Sequence, residues 1–255
     1  DQIIQERLPK HVAVIMDGNG RWAKKQGNNR VYGHRNGVTS VRQIVEASAE
    51  LGVSYLTLYA FSTENWRRPQ HEIDALMALL VSTVDNEMST LMENNVSLRL
   101  IGDLEAMPDN VTEKLSYAVN QTSANTGLTL ILALSYSARW EMVNAARHIA
   151  EAVKHKQLDP KDIDNETFTN FLTTRNYPDP ELLIRTSGEL RLSNFMLWQL
   201  AYAELYFTET LWPDFRKEHY YKAILDFQNR ERRFGKTSDQ LKTNHVNNAS
   251  LQAGS

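Results

Sequence analysis

The chain has 255 residues, 42% of them hydrophobic and 23% charged, with a formal net charge of −3 and no cysteine. That length buries ample core as one large domain or two small ones. The near-neutral charge excludes a global pull towards nucleic acid, and the missing thiols exclude disulfides and thiolate metal sites while fitting a reducing compartment.

Residues 1–10 read as a loose polar lead-in. Because the first residue is Asp1 rather than Met, Asp1 is not expected to be the native start, and no signal-peptide pattern follows it. Residues 12–16 form a short apolar run with β-branched members, the pattern of a buried strand. Asp17 and Gly18-Asn19-Gly20 follow, then a helix start at residues 21–25. Residues 33–51 read as a helix with Val38, Val41, Ile44, Val45, Ser48 and Leu51 near one face and Gly52 as its stop. Residues 55–61 predict the second strand, which runs into the polar and aromatic loop STENWRRP. Residues 70–94 form a long helix whose apolar stripe is Ile73, Leu76, Met77, Leu80, Val84, Met88 and Leu91.

A third strand is expected at 96–101, a helix at 108–125 with Pro108 in its first turn, a fourth strand at 128–135 and a helix at 137–156. The most apolar run, 128–134, is far shorter than the roughly 20 residues of a membrane span. A soluble chain is therefore expected, one that touches a membrane only from outside. Asp164 suits the cap of a short helix from 165 to about 173. A fifth strand at 182–185 ends in TSGELRLSN, a helical turn or two follows at 195–200, and a sixth strand lies at 204–208. Trp212-Pro213 breaks the chain before a final helix over 215–234, which Gly235 ends. From 237 onwards the tail is polar and expected to be disordered. Strand and helix alternate throughout, so the fold class is α/β: a single domain at 11–236 with a largely parallel central sheet of about six strands flanked by helices.

The residues suited to chemistry gather at strand ends, where open α/β sheets collect ligands. The Asp17–Arg21 loop is neither a Walker loop nor a GxGxxG fingerprint. One reading is a tight turn with Asp17 as helix cap; the other is an anion site, with loop N–H groups and helix dipole facing a phosphate and a divalent metal bridging it to Asp17. Arg21, Arg30, Arg68, Arg185 and Arg191, with His34 and Ser193 near, follow the same trend. Arginine's fixed fork of donors matches phosphate oxygens and keeps its charge. Five such residues suggest two anionic groups.

Asp17 and Glu204 flank strands and are of the type Mg²⁺ takes together with substrate phosphates. Asp159, Asp162 and Asp164 read as caps, and no DDxxD occurs. The stripe at 70–94, with Ala60, Leu128 and Leu130, fits either a packed core or a tunnel for a long apolar chain. His148 and His155 are expected on an exposed helix face, which leaves His34 as the histidine close to the site. Residues 216–236 carry seven Lys/Arg against three Asp/Glu, which fits a solvated face, a dimer contact, substrate capture across a dimer or attraction to an anionic membrane.

Together the blocks HVAVIMDGNGRWAKKQG, GHRNG, LTLYAFSTENWRRP, LLIRTSGELRLSNFMLWQLAYAELYFT, WPDF and RERRFG resemble the cis-prenyltransferases, in particular their bacterial branch, over residues 11–235. The resemblance implies an α/β sheet with a hydrophobic tunnel, usually in a homodimer, and a Mg²⁺-dependent condensation of farnesyl diphosphate with successive isopentenyl diphosphates. The implied product is undecaprenyl diphosphate, the precursor of the carrier lipid for cell-wall sugars. The implied location is cytoplasmic, with peripheral contact at the inner face of the membrane for product release, and no nucleic-acid partner.

By the same resemblance, Asp17 is the catalytic, metal-binding aspartate and Glu204 the second metal-associated carboxylate. Gly18, Asn19, Gly20 and Arg21 surround the allylic diphosphate, and Trp22, Arg30 and His34 add contacts. Ser62, Thr63, Glu64, Trp66 and Arg68 fall on substrate positions. Asn65 falls on the presumed proton acceptor. Arg185, Arg191, Leu192 and Ser193 fall on the isopentenyl diphosphate site. An amide is a poor base, so Asn65 is expected to orient or relay the proton, with diphosphate oxygen or His34 as alternative acceptors. One departure stands out: many members carry Asn-Tyr-Gly-Gly-Arg where this chain has Ser135-Tyr136-Ser137-Ala138-Arg139. A non-catalytic partner subunit would have lost motif residues that survive here, and a phosphate-ester hydrolase would show a nucleophile or P-loop that is missing.

Overall fold

The computed structural model describes residues 2–232; residues 233–235 and the polar tail lie outside the described residues, and the final helix, expected to run to 234, already ends at Gln228 with Asn229 as its cap. Six strands form one sheet: β1 (His11–Ile15), β2 (Tyr55–Ser62), β3 (Ser97–Ile101), β4 (Thr129–Tyr136), β5 (Leu182–Arg185) and β6 (Glu204–Phe207), in spatial order β3-β4-β2-β1-β5-β6. Every pairing is parallel, so all carboxyl ends share one edge. The order turns around at β1, which pairs β2 on one side and β5 on the other. That is the switch point where open α/β sheets bind ligands.

Along each central strand, side chains alternate between two buried faces. Val12, Val14, Leu56, Leu58, Leu130 and Leu182 join the larger core. Ala13, Ile15, Ile131, Ala133 and Leu183 join a smaller one with Phe195, Met196 and Leu200. Burial on both faces explains why these strands read as unbroken apolar runs.

The helices are α1 (Asn19–Lys25), α2 (Arg30–Leu51), α3 (Gln70–Glu93), α4 (Asp109–Gln121), α5 (Ala138–Lys154), α6 (Asn165–Asn170) and α7 (Lys217–Gln228). Asn29 caps α2 by accepting from Tyr32 N, so this helix starts three residues before the periodic stretch. Asp164 caps α6, and Asp159 caps a 3₁₀ turn at Pro160–Asp162, as the capping interpretation expects. Pro108 stands just before α4 rather than in its first turn, and that helix stops at Gln121. His148 and His155 are exposed.

Two expectations are corrected for tertiary reasons. Residues 195–200 make one helical turn, with Leu200 N donating to Met196 O at 2.8 Å, but no helix: Met196 has φ 44°, after Ser193 at 49° and Asn194 at 59°, a backbone that an α-helix of L-residues does not allow. The lead-in is pinned. Gln228 accepts from Ile4 N at 3.1 Å and donates to Ile4 O at 2.7 Å, and Arg7 donates to the Gln228 carbonyl.

Candidate active site

Asp17 stands two residues beyond β1, beside the end of β5. It does not cap α1: the cap position is Gly18, at φ 109°, with no side-chain cap. Asp17 Oδ1 accepts from the adjacent Gly18 N at 2.7 Å, and Oδ2 accepts from Arg185 Nη2 at 2.9 Å. The Asp17 backbone is clamped as well. Thr186 Oγ1 donates to its carbonyl at 2.7 Å and accepts from its N–H at 2.9 Å, and Trp212 N donates to the same carbonyl at 3.0 Å. Gly33 lets α2 lie against α1, because a Cβ there would stand 2.0 Å from Asn19 O. The GHRNG block thereby brings Arg30 and His34 to the loop.

Arg185, its side chain only 3% exposed, is the hub of the β5 side. Besides Asp17 it donates to Ser193 Oγ at 2.7 Å and to the Arg191 carbonyl at 2.5 Å, while its buried Nε has no partner. Arg21 donates to Ser187 Oγ and lies 3.1 Å from Glu189, which also pairs with Arg191. On the other side, Arg68 and Arg30 converge on Glu72 at 3.1 and 3.6 Å. Arg30 and Arg21 reach the site from helices rather than from strand-end loops. His34 stands between Arg30 and Arg68. Desolvation, helped by the two guanidinium charges, lowers its pKa to about 4, so the imidazole is neutral at neutral pH.

The β2 loop is a 3₁₀ turn, Thr63–Arg67, held by a capping box in which Asn65 Oδ1 accepts from Ser62 N at 3.0 Å. Trp66 Nε1 donates to Ser135 Oγ at 2.9 Å, and Ser135 sits at φ 47°. The departing Ser-Tyr-Ser-Ala-Arg segment therefore supplies a hydroxyl that steadies this loop. Thr63 Oγ1 lies 3.3 Å from Glu64 Oε2. Desolvation pushes the Glu64 carboxyl up, but hydrogen bonds from Asn194, its own backbone, Ser62 and Thr63 outweigh that and leave it below the usual range. Trp22 donates to Asp214 Oδ1 at 2.8 Å and stacks on Tyr32. Leu192 packs partly buried against the smaller core.

A cavity of ≈ 240 Å³ opens among these groups and runs between α2, α3 and the sheet. Met16, Asn19, His34, Asn65 and Arg68 line its polar end. Leu76, Met77, Leu80, Val84 and Leu91 of α3 line its wall, with alternate β4 residues Leu130, Leu132 and Leu134. The helix stripe thus faces a void as well as a core. A register shift in the β2–β4 pairing around Tyr59 and Phe61, the signature of a bulge that re-aims side chains, coincides with Tyr59, Ala60 and Phe61 all lining the cavity.

Two expected site features lie elsewhere. Glu204 opens β6 and pairs in register with Leu182, whereas Phe207 pairs with Arg185. It therefore sits at the amino edge of the sheet, 3.0 Å from Arg230, and one chain does not bring it to Asp17. In the described part of the basic stretch, Lys217 pairs with Glu46 and Glu50, Arg230 with Glu204 and Asp226, and Arg232 with Glu181, while Arg233 and Lys236 lie outside the described residues. Among the described residues, no three His, Cys, Asp or Glu converge as a metal cage, and no helix is long and apolar enough to cross a membrane. Residue-by-residue reading passed over Glu72, Glu189 and Asn194. The last two lie inside the strand-end loop that already looked unusual, and that placement was the available signal.

The comparisons with known proteins agree with this geometry. Residues 15–235 match the family model described as putative undecaprenyl diphosphate synthase. An isoprenyl transferase of Chlorobaculum tepidum is 55% identical over 239 residues, 94% of this chain and 90% of that protein. A ditrans,polycis-undecaprenyl-diphosphate synthase of Haemophilus influenzae, farnesyl-diphosphate specific, is 51% identical over 92% of this chain and 99% of its own length. Among solved structures, lavandulyl diphosphate synthase from Lavandula x intermedia, in complex with dimethylallyl diphosphate, superposes with a TM-score of 0.89 at 39% identity, over 91% of this chain and all of that one. A cluster of arginines opening on an apolar cavity, at the switch point of a parallel sheet, thus goes with sequence likeness along nearly the whole chain: the chain belongs to the undecaprenyl diphosphate synthase family of cis-prenyltransferases and is a prenyltransferase.

Proposed function

We propose that the chain elongates farnesyl diphosphate with successive isopentenyl diphosphates through new cis double bonds, to a product of undecaprenyl length. The observation that carries this reading is the apolar cavity opening at the arginine cluster, which suits a charged head with a long hydrocarbon tail. The primer diphosphate faces the Gly18-Asn19-Gly20 loop, Arg21, Arg30, His34 and Arg68, with its chain in the cavity. The second diphosphate faces Arg185, Arg191 and Ser193, with Leu192 and Trp22 at the rim. Ser62, Thr63, Glu64 and Trp66 shape the β2 wall between the two.

Asp17 fits Mg²⁺ that arrives with a diphosphate. It is a single half-exposed carboxylate whose oxygens each keep a free lone pair, beside guanidinium groups for the phosphate oxygens, and Mg²⁺ keeps waters and takes one or two carboxylates. When bound there it supplies charge withdrawal from the departing diphosphate. Arg21, Arg30 and Arg68 stabilise the same developing charge as the allylic C–O bond breaks. The isopentenyl alkene attacks that carbon, forming the new C–C bond, and loses a proton from the adjacent carbon. His34, with a pKa near 4, is a weak base, so an oxygen of the departing diphosphate takes the proton. Asn65, fixed by its bond to Ser62 N, orients the reacting groups.

β6 is the edge strand of the sheet, with Leu205 and Tyr202 exposed near it, and a homodimer covers this edge. Glu204 joins a metal site only across such a contact. If sites are shared, mixing Asp17→Asn and Glu204→Gln subunits restores turnover that neither variant has. The primary test is incorporation of labelled isopentenyl diphosphate into a farnesyl primer, with and without Mg²⁺, and mass analysis of the product. No incorporation under any metal condition overturns the reading.

A further inference from the structure

Asn194 lies between the two lobes of the site and belongs to neither set of charged groups. It adopts φ 59°, beside Ser193 at 49°, a left-handed conformation that asparagine tolerates better than most residues. Its carbonyl accepts from Ala138 N at 2.8 Å. Its side-chain Oδ1 accepts from Arg139 N at 3.0 Å, and its Nδ2 donates to Glu64 Oε1 at 2.9 Å. Ala138 and Arg139 open α5, and first-turn N–H groups have no partner inside their own helix.

One residue therefore ties together the segments that follow β2, β4 and β5, and both ends of its amide are in use. From it a line of direct contacts crosses the site. Ser193 is its chain neighbour, Ser193 Oγ accepts from Arg185, and Arg185 donates to Asp17.

We infer that Asn194 is a positioning residue for the transfer step: through Glu64 and the α5 N-terminus it sets the spacing between the β2 loop on the primer side and the β5 loop that presents Ser193 and Arg185 to the second diphosphate. The inference rests on the elongation reading above. The amide donates to Glu64 and accepts from Arg139 at once, from two separate atoms. The lowered pKa of Glu64, to which the Asn194 bond contributes, is the charge-side view of the same contact.

Asn194→Asp keeps the size and the acceptor for Arg139 but sets a carboxylate against Glu64. It is expected to lower kcat/KM for isopentenyl diphosphate by roughly ten- to a hundredfold, the scale of an ångström-sized misplacement, chiefly by raising KM, while KM for farnesyl diphosphate stays within about threefold. Adding Glu64→Gln rebuilds a donor–acceptor pair in reverse, so the double variant should return to the level of Glu64→Gln alone. A merely structural role predicts fewer folded molecules with unchanged KM. Unchanged KM in Asn194→Asp, or single losses that multiply in the double variant, overturns the inference.

Calorimetric titration with inorganic diphosphate and Mg²⁺ gives a readout without turnover, with about tenfold weaker binding expected for Asn194→Asp and recovery in the double variant. If the wild type elongates nothing but shows this pattern, the elongation reading falls and the positioning role stands. If the wild type elongates and Asn194→Asp matches it, the reverse holds.

Discussion

At the carboxyl edge of the sheet, Asp17, Arg21, Arg185, Glu189 and Arg191 share partners, so that one carboxylate serves two guanidinium groups. At the amino edge, Glu181 pairs with Arg232, and Glu204 and Asp226 pair with Arg230. The residue types are the same and the arrangements differ. At the amino edge each of these arginines is matched by at least one carboxylate, three acids against two arginines, and the edge closes on the N-terminal segment through Gln228. The carboxyl edge keeps more positive charge than its acids offset and opens on a cavity. Arginine marks a binding site where its charge is left for a ligand, and a fastening where it is not.

The two histidines follow the same division. His11 and His34 both have a pKa lowered to about 4. For His11 the cause is desolvation, opposed by its hydrogen bond with Pro178. For His34 it is desolvation reinforced by Arg68 and Arg30. Burial holds both imidazoles neutral, and only at His34 do neighbouring guanidinium charges add to it.

The sharpest way to break this contrast is Asp17→Asn. Turnover should fall by about 10²–10³-fold, the scale of losing one preorganised charge contact, while the melting temperature drops by only a few degrees, because Arg185 keeps Ser193 and the Arg191 carbonyl. Single-turnover assays and thermal melts separate the two effects; comparable activity removes Asp17 from the chemistry.

Next comes acid stability. A histidine whose folded pKa lies below its unfolded value contributes fully above about pH 6.5 and loses that contribution as pH falls towards 4. For buried His11 the loss is roughly 3 kcal/mol at most. Urea midpoints between pH 7 and pH 4.5 should shift less in His11→Gln, whereas a diphosphate ligand should change the titration of His34 and leave that of His11 alone.

The smallest effect belongs to Gln228→Ala, which leaves the Ile4 N–H without its partner and the Ile4 carbonyl with the Arg7 N–H alone. A loss of about 1–2 kcal/mol and a melting shift of roughly 2–8 °C are expected, with turnover within about twofold. A turnover loss approaching that of Asp17→Asn would erase the division between the edges.

Much of the fold was legible because it is written in local periodicity. Unbroken apolar runs and 3.6-residue stripes placed all six strands and five of the seven helices to within a few residues; the short α1 was read from its first residues, and α7 was carried to 234 although it ends at Gln228. The Gly-rich loop, the polar and aromatic loop after β2 and the loop after β5 were visible for the same reason, since each is a short unusual stretch after a strand. The segment 195–200 stops at one turn because Met196 takes a positive φ, which no local pattern encodes. Glu204 looked like a site residue because it flanks a strand, but only register shows which end of the sheet it occupies.

Residue types and their order along the chain were enough for the class of fold and the family, and they marked the Gly-rich loop and the arginines as candidates for an anion. Tertiary structure decided what depends on direction and distance. It set the strand order that places β1 at the switch point and turned the α3 stripe to face a cavity. It also freed Asp17 from a capping role and divided the arginines between a site and a fastening. Side-chain partners far apart in sequence are chosen by packing, and packing is a property of the whole fold.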